Sequence, residues 1–155
     1  METIGIIHSP FTDIDNMPIQ PKGAAGIEGT VHLNEVYAEG LKDLNGFSHI
    51  YLIYRFHKAS RTCLTVIPFL DTVERGVFAT RSPLRPNPIG LSIVRLIKIE
   101  GAVLTIKDVD VLDGTPLLDI KPYIEHFDAV TKSTSGWMKA NIQEISKKRS
   151  DNRFK

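Results

Sequence analysis

The segment LSIVRLIKIEGAVLTIKDVDV, residues 91–111, decides the fold of this chain. Its halves, Leu91–Ile99 and Val103–Val111, are rich in β-branched residues, and Glu100-Gly101 between them is typical of a tight turn. The segment therefore predicts a β-hairpin of two long strands. Leu91–Ile99 is apolar on both of its alternating faces, which indicates that other parts of the structure cover both sides.

Further strands are predicted on both sides of this hairpin. The other strand-like segments are Thr3–His8, Ile27–Leu33, His49–Phe56, Cys63–Pro68, Gly76–Thr80 and Leu118–Ile124. Residues 12–26 have no periodicity and predict a long loop. One helix is expected after Asn34 and another over Trp137–Lys147. Many short strands without β-α-β alternation are compatible with a sandwich or a barrel. We expect a mainly β protein, a single-sheet barrel of short, largely antiparallel strands with one or two outer helices.

Length and composition limit the class of protein. The 155 residues suit one domain, and we expect the barrel over residues 1–135 with a C-terminal helix and basic tail, 136–155, in the same domain. The single cysteine excludes an intramolecular disulfide and every multi-cysteine zinc pattern, and the five histidines form no metal motif, so we expect no metal. No apolar run suits a membrane span and the N-terminus lacks a secretory signal pattern. A cytoplasmic protein with no membrane partner is therefore expected.

Charge is distributed unevenly along the chain. The net charge is +1, but residues 144–155 carry +3 and the remainder carries −2. A basic tail is compatible with contact to nucleic acid. It is equally compatible with a solvated, fraying end.

A second informative stretch is GVFATRSPLRPNPIG, residues 76–90. It holds three of the nine prolines, which fix the backbone and remove N–H donors, so the segment is rigid and unsuited to a central strand. Arg81 and Arg85 are carried on this rigid backbone. Charged groups that are held in place lose little entropy when they bind, which favours a preorganised site. A structural connection with surface arginines is the alternative.

The third stretch is DVDVLDGTPLLDIKPY, residues 108–123. Asp113-Gly114 followed by Thr115-Pro116 predicts a turn. Asp119, Lys121 and Tyr123 then alternate on one face of the next strand. Carboxylates at strand ends beside a turn favour the rim of a pocket, whereas a solvated face with an Asp119–Lys121 surface pair is the alternative.

The chain resembles the TsaA-like (TrmO) family of S-adenosylmethionine-dependent tRNA methyltransferases. The resemblance is carried by the second and third stretches, together with IGIIHSPF at residues 4–11 and GFSHIYLIYRFH at residues 46–57. The resemblance covers about residues 3–125 and is most specific in FATRS-x-x-RPNPIG and DGTP-x-x-DIKPY. It implies a single-sheet barrel that forms a homodimer and binds S-adenosylmethionine near the subunit interface. It also implies methyl transfer to N6 of N6-threonylcarbamoyladenosine, next to the tRNA anticodon. Longer bacterial members carry a further C-terminal domain, and we expect the compact, archaeal-type form here.

The resemblance also implies which residues bind the methyl donor. They are Pro18, Ile19, Gln20, Phe56, His57, Arg81, Leu91, Leu112, Asp113, Gly114 and Thr115. We expect Arg81 to be buried at the pocket and Leu91 to pack against the donor. Where the family's early loop reads Pro-Arg-Gln, this chain has Pro18-Ile19-Gln20. Donor contacts are therefore expected from the backbone of this loop, and not from an arginine side chain.

Methyl transfer to N6 releases a proton, which a base must take up. Asp113 and Asp119 are the candidates for this base. A turn aspartate often accepts amide hydrogen bonds, which makes Asp113 a poor base. We therefore predict Asp119 as the base or orienting group, with Lys121 and Tyr123 placing the acceptor nucleotide of the tRNA anticodon loop.

There is no G-x-G-x-x-G motif, so a dinucleotide-type methyltransferase fold is not expected. A non-catalytic RNA- or nucleotide-binding small barrel is the alternative function.

Overall fold

A computed structural model describes residues 1–154 and contains a closed barrel of six antiparallel strands. Around the barrel the neighbours are β1, β2, β7, β6, β3 and β8, and β8 pairs with β1 to close the sheet. β4 and β5 form a separate two-stranded sheet. The predicted barrel is confirmed. In chain order the strands are β1 (Gly5–His8), β2 (Glu28–Leu33), β3 (His49–Arg55), β4 (Thr65–Val66), β5 (Arg75–Gly76), β6 (Ile89–Glu100), β7 (Val103–Lys107) and β8 (Thr115–Pro122).

The barrel is filled by the side chains that alternate inward along each strand. In β3, for example, Ile50, Leu52 and Tyr54 point inward and are at most 5% exposed. Each large aliphatic side chain that is fully buried stabilises the fold by about 1.5–3 kcal/mol relative to exposure. The interior is thus a packed core and not a pore. Its other fully buried members are Ile7, Val31, Val94, Leu104, Ile106 and Leu117.

The hairpin predicted from residues 91–111 is present as β6 and β7. Gly101 adopts a left-handed conformation (φ 60°) at its turn, and a bulge interrupts the pairing between Leu96 and Lys98. The expectation that both faces of β6 are covered is wrong for a single protomer. Leu91 and Ile93 face outward and are 53% and 37% exposed.

The helices are shorter than the sequence pattern predicts. After Asn34 the chain forms 3₁₀ turns at Glu35–Leu41 and Leu44–Gly46, and the Asn34 side chain makes no capping bond. Valine and glycine within the first of these segments disfavour a longer α-helix. An additional short helix, α1, spans Glu125–Asp128.

The second predicted helix, Trp137–Lys147, is observed only as α2, Ile142–Lys147. Its start is fixed by a capping box in which the Asn141 side chain accepts from the Glu144 amide and the Glu144 carboxylate accepts from the Asn141 amide. Trp137 lies outside the helix and donates its indole N–H to the carbonyl of Ala79. None of the helices among residues 1–154 is long and apolar enough to cross a membrane.

Because neighbouring strands alternate in direction, three of the connections emerge at the same end of the barrel. They are the β1–β2 loop (residues 9–27), the β3–β6 connection (56–88) and the β7–β8 loop (108–114). We call this the loop end. The tight β6–β7 turn and the β2–β3 connection (34–48) lie at the opposite end, called here the hairpin end.

The basic tail packs against the body of the protein. Residues 149–154, called here the C-terminal strap, lie along the β1–β2 loop, where Arg149 forms an antiparallel bridge with Pro18. The Ser150 amide donates to the Met17 carbonyl at 2.8 Å. The interpretation of this segment as a solvated, fraying end is therefore wrong.

Gly90 offers a test of the packing at the start of β6. A Cβ atom added there would lie 2.2 Å from Cε2 of Tyr54, whose ring is 5% exposed and held by a hydrogen bond to Ser92. We expect Gly90→Ala to lower the free energy of unfolding by about 2 kcal/mol or more, because the ring cannot move aside. Urea denaturation measures the change.

Gly40→Ala is the matched control, because a Cβ there meets nothing within 4 Å. Its free energy of unfolding should stay within about 0.5 kcal/mol of the wild type. Equal stability of Gly90→Ala and the wild type would contradict the packing described for Tyr54.

Candidate active site at the loop end of the barrel

The β7–β8 loop is fastened to the end of β1 by backbone hydrogen bonds. The Asp113 amide donates to the Phe11 carbonyl at 2.7 Å, and the Gly114 amide donates to the Ile7 carbonyl at 3.0 Å. Gly114 has φ 74°, a conformation that glycine adopts without the steric cost of a Cβ. The turn predicted at these positions is thus formed and rigidly placed at the loop end.

The Asp113 carboxylate has a structural role. It accepts hydrogen bonds from the Ser9 amide at 3.1 Å and from the His8 imidazole Nδ1 at 3.0 Å. The amide of Ser9, and then His8, hold the pKa of Asp113 below its usual value. Asp113 is therefore a weak base, as its turn position predicts.

Phe56 and His57 reach the same end of the barrel from β3. The Phe56 amide donates to the Pro88 carbonyl at 2.7 Å, and the Phe56 ring contacts the Tyr54 ring edge to face. His57 Nδ1 lies 3.3 Å from the Thr115 hydroxyl oxygen. Burial, with Lys58 and Arg55 nearby, lowers the pKa of His57 and favours the neutral imidazole. These contacts join the end of β3 to the starts of β6 and β8.

The proline-rich segment is held together by one of its own arginines. The Arg85 guanidinium turns back and donates to the carbonyls of Val77 and Thr80 at 3.0 and 2.8 Å. Ser82 and Leu84 are 3% and 1% exposed. Arg85 is thus a structural group, and the rigid backbone expected from the prolines is reinforced by its hydrogen bonds.

Arg81 connects this segment to the β1–β2 loop. Its Nη1 donates to the Gln20 side-chain carbonyl at 2.8 Å. The expected burial of Arg81 is wrong, because its side chain is exposed. The physical reason is that Ser82 and Leu84 point into the protein, which leaves Arg81 directed across the loop end toward Gln20.

A hydrogen-bonded chain at the loop end, buried at Tyr54 and Ser92 and half-buried at Asp110, was not predicted from the sequence. The Ser92 hydroxyl donates to the Asp110 carboxylate at 2.7 Å, and the Tyr54 hydroxyl lies 3.0 Å from the Ser92 oxygen. Burial raises the pKa of Asp110 to about 6, although Ser92 and then Arg81 oppose the shift. The only sequence signal was the row of aspartates that ends β7, which does not single out Asp110.

The remaining predicted site residues lie elsewhere, on the outer face formed by β6, β3 and β8. Asp119 and Lys121 form an exposed ion pair there, with 2.9 Å between Oδ2 and Nζ. Leu91 lies opposite Ile53, which lies opposite Asp119. The expected orientation of Asp119 into a pocket is not found within one protomer, and the surface pair that the sequence also allowed is present.

The structure thus divides the predicted residues into two groups. At the loop end, on three connections that are far apart in sequence and on the first residue of β8, it gathers Pro18, Ile19, Gln20, Phe56, His57, Arg81, Leu112, Asp113, Gly114 and Thr115. On the outer face lie Leu91, Asp119, Lys121 and Tyr123, the last with its ring 5.8 Å from that of Tyr51. Within residues 1–154, no three histidine, cysteine or acidic side chains are grouped to hold a metal ion.

Asp110 makes the stability of the protein depend on pH. Its carboxyl has a pKa of about 6 in the folded state against 3.8 ordinarily, so between these values the folded state binds more protons than the unfolded chain. The free energy of unfolding therefore falls as the pH rises through this window. Asp110→Asn keeps an acceptor for Ser92 and cannot ionise. We expect it to gain on the order of 2 kcal/mol relative to the wild type between about pH 4 and pH 7.5.

Urea denaturation at several pH values measures this gain. Asp119→Asn is the control, since its exposed carboxylate should give a small difference that varies little with pH. A stability difference between Asp110→Asn and the wild type that stays constant with pH would contradict the account of Asp110.

The amino-acid sequence of this chain is similar to those of known proteins. The family model of the tRNA-methyltransferase O N-terminal domain matches residues 6–129. A probable S-adenosyl-L-methionine-binding protein of Pyrococcus abyssi is 53% identical over 97% of this chain and 82% of its own length. The tRNA (adenine(37)-N6)-methyltransferase of Escherichia coli is 33% identical over 88% of this chain and 62% of its own length.

Solved structures agree with the sequence comparison. The crystal structure of TrmO from Pseudomonas aeruginosa is similar to this chain with a TM-score of 0.73 and 40% identity, over 87% of this chain and 59% of that one. This chain therefore spans about 60% of the length of the E. coli and P. aeruginosa proteins. The family match covers most of the barrel and all three loop-end connections, and the chain belongs to the tRNA-methyltransferase O N-terminal domain family.

Proposed function

We propose that this protein transfers a methyl group from S-adenosylmethionine to N6 of N6-threonylcarbamoyladenosine, next to the anticodon of tRNA. The observation that carries the proposal is the convergence of three distant connections, with ten of the predicted donor-binding residues, at the loop end of one barrel. Membership of the family and the names of the relatives from P. abyssi and E. coli support it. We further propose that the protein acts in the cytoplasm, where its tRNA substrate is found.

The loop end offers groups that suit the donor. The exposed Arg81 guanidinium has five N–H donors, and one of them goes to Gln20. A carboxylate, such as the one on the amino acid moiety of the donor, pairs well with the N–H groups of a guanidinium. The ring of Phe56 is an aromatic surface of the kind that attracts a sulfonium cation. S-adenosylmethionine supplies an electrophilic methyl group on sulfur, and Arg81, Gln20 and Phe56 would hold and orient it.

Methyl transfer needs alignment of the two reactants and an acceptor for one proton. As the bond from the acceptor nitrogen to carbon forms, the bond from that carbon to sulfur breaks and the N6 proton must leave. Holding the reactants in line supplies much of the rate enhancement. Asp119 is the proton acceptor or orienting group predicted from the sequence, with Lys121 and Tyr123 beside the nucleotide. Asp110 is the candidate that the geometry adds, because its raised pKa leaves it basic enough to take a proton near neutral pH.

We propose that the complete site is formed by a homodimer. The outer face of β6, β3 and β8 exposes Leu91 and Ile93, which lie opposite the half-buried Ile53 and Tyr51. An exposed apolar patch that adjoins polar groups is typical of an interface. A second copy on this face would bury Leu91 and could bring Asp119, Lys121 and Tyr123 to the partner's loop end. That arrangement would join the two groups of predicted residues.

Transfer of an isotope-labelled methyl group from S-adenosylmethionine to tRNA tests the proposal. We expect mass spectrometry of the digested tRNA to detect label on N6-threonylcarbamoyladenosine and on no other nucleoside. A protein that binds tRNA but leaves it unlabelled would instead support a non-catalytic RNA- or nucleotide-binding barrel. Binding of the donor in the absence of tRNA, measured by calorimetry, makes the same distinction independently.

Two variants assign roles within the same assay. Arg81→Ala should weaken donor binding by about 1.5–3 kcal/mol, the usual value of a hydrogen bond to a charged group, while its rate at saturating donor is preserved. Asp119→Asn should lower the single-turnover rate about 100-fold or more with binding retained, if this carboxylate takes the proton. A rate within a few-fold of the wild type would remove Asp119 as the base and leave Asp110 as the candidate.

A further inference from the structure

The C-terminal strap, residues 149–154, lies outside the part of the chain that matches the family, residues 6–129. Its contacts with the β1–β2 loop include Asn16, Met17 and Pro18, and Pro18 is followed directly by Ile19 and Gln20 of the proposed donor site. A segment that is no part of the barrel is thus fastened to one wall of that site.

Ser150 makes four hydrogen bonds to this loop. Its carbonyl accepts from the Asn16 amide at 2.9 Å, and its amide donates to the Met17 carbonyl at 2.8 Å. Its hydroxyl accepts from the Met17 amide at 2.8 Å and donates to the Ile14 carbonyl at 2.6 Å. One residue therefore satisfies backbone groups on both sides of Asn16, which has φ 60° and so adopts an uncommon conformation.

The strap also contacts the β3–β6 connection. Arg153 donates from Nη1 to the Pro68 carbonyl at 2.7 Å, and its guanidinium lies 5.2 Å from the Phe69 ring centroid. The Phe154 and Phe69 rings are 4.7 Å apart. Because Pro68 and Phe69 belong to the β3–β6 connection, the strap links two of the three connections that form the loop end.

Helix α2 also packs against the β1–β2 loop. A Cβ added to Gly23 would lie 3.2 Å from the Ser146 carbonyl oxygen and 3.4 Å from the Pro18 side chain. The last turn of α2 therefore packs closely on the 3₁₀ turn Pro21–Ala24, and Pro18 beneath it is buried. The β1–β2 loop is thus held by the strap and α2, and also by the hydrogen bond between Arg81 and Gln20.

We propose that the C-terminal strap positions the β1–β2 loop for donor binding, with Ser150 as the main positioning residue. The inference rests on the proposed function, since it assigns the loop to the donor site. Ordering a loop before the ligand arrives removes that entropic cost from the binding step. A loop that is ordered only part of the time lowers the apparent affinity in proportion to its ordered fraction.

The test uses the full chain and three variants. Ser150→Ala removes the two hydroxyl bonds, and Ser150→Thr restores a hydroxyl. Lys147→Gln is the control, because it removes a positive charge at the exposed last residue of α2, two residues before the strap. Calorimetry with S-adenosylmethionine, without tRNA, measures the affinity of each protein.

We expect Ser150→Ala to bind the donor about three- to tenfold more weakly, as the loss of one or two net hydrogen bonds predicts. Ser150→Thr should recover most of the affinity, and Lys147→Gln should bind as the wild type does. The rate at saturating donor should be unchanged in Ser150→Ala, because the strap acts on the donor loop alone. Hydrogen exchange of residues 12–20 without donor should be faster in Ser150→Ala.

The outcomes separate the two proposals. If the wild type binds no S-adenosylmethionine, the proposed function fails and the strap's assignment fails with it. If the wild type binds but Ser150→Ala binds equally well, only the positioning role is overturned. Should Ser150→Ala fold poorly, Arg153→Ala releases the strap from Pro68 and is judged by the same affinity and exchange measurements.

Discussion

Closure of six antiparallel strands into one barrel is the constraint on which the rest of the structure depends. With β8 paired to β1, every strand of the barrel has two neighbours and the barrel sheet has no open edge. Alternating strand direction then places the β1–β2 loop, the β3–β6 connection and the β7–β8 loop at the same end. Residues about 100 positions apart, such as His8 and Asp113, come within hydrogen-bond distance as a result. The candidate site is therefore a consequence of barrel closure and not of any local motif.

Local sequence signals predicted the elements whose formation depends on their own residues. The β6–β7 hairpin follows from β-branched residues around Glu100-Gly101, and the Asp113-Gly114 turn from residues that favour turns. The rigidity of residues 80–88 follows from their prolines. The family resemblance added the expectation that these segments form one site.

Sequence patterns could not predict features that depend on contacts between distant segments. Asp110 differs from the other aspartates of its stretch because it accepts from Ser92 of the neighbouring β6, whose hydroxyl also contacts Tyr54 of β3. The exposure of Arg81 follows from the inward direction of its neighbours, and the capping box at Asn141 shortened the predicted helix. The strap contacts of Ser150 involve residues more than 130 positions away. The outward direction of Asp119 likewise depends on the register between β8 and β3.

Hydrogen exchange with and without saturating S-adenosylmethionine tests most directly whether the loop end is the donor site. If the donor binds there, exchange slows in residues 9–27, 56–58, 80–85 and 110–114, which belong to three connections and share only their position at the loop end. The opposite end holds a cavity of about 260 Å³ lined by residues that include Leu41, Leu44 and Phe47. Exchange there should not change. Protection confined to that cavity, or to a single one of the three connections, would contradict the account.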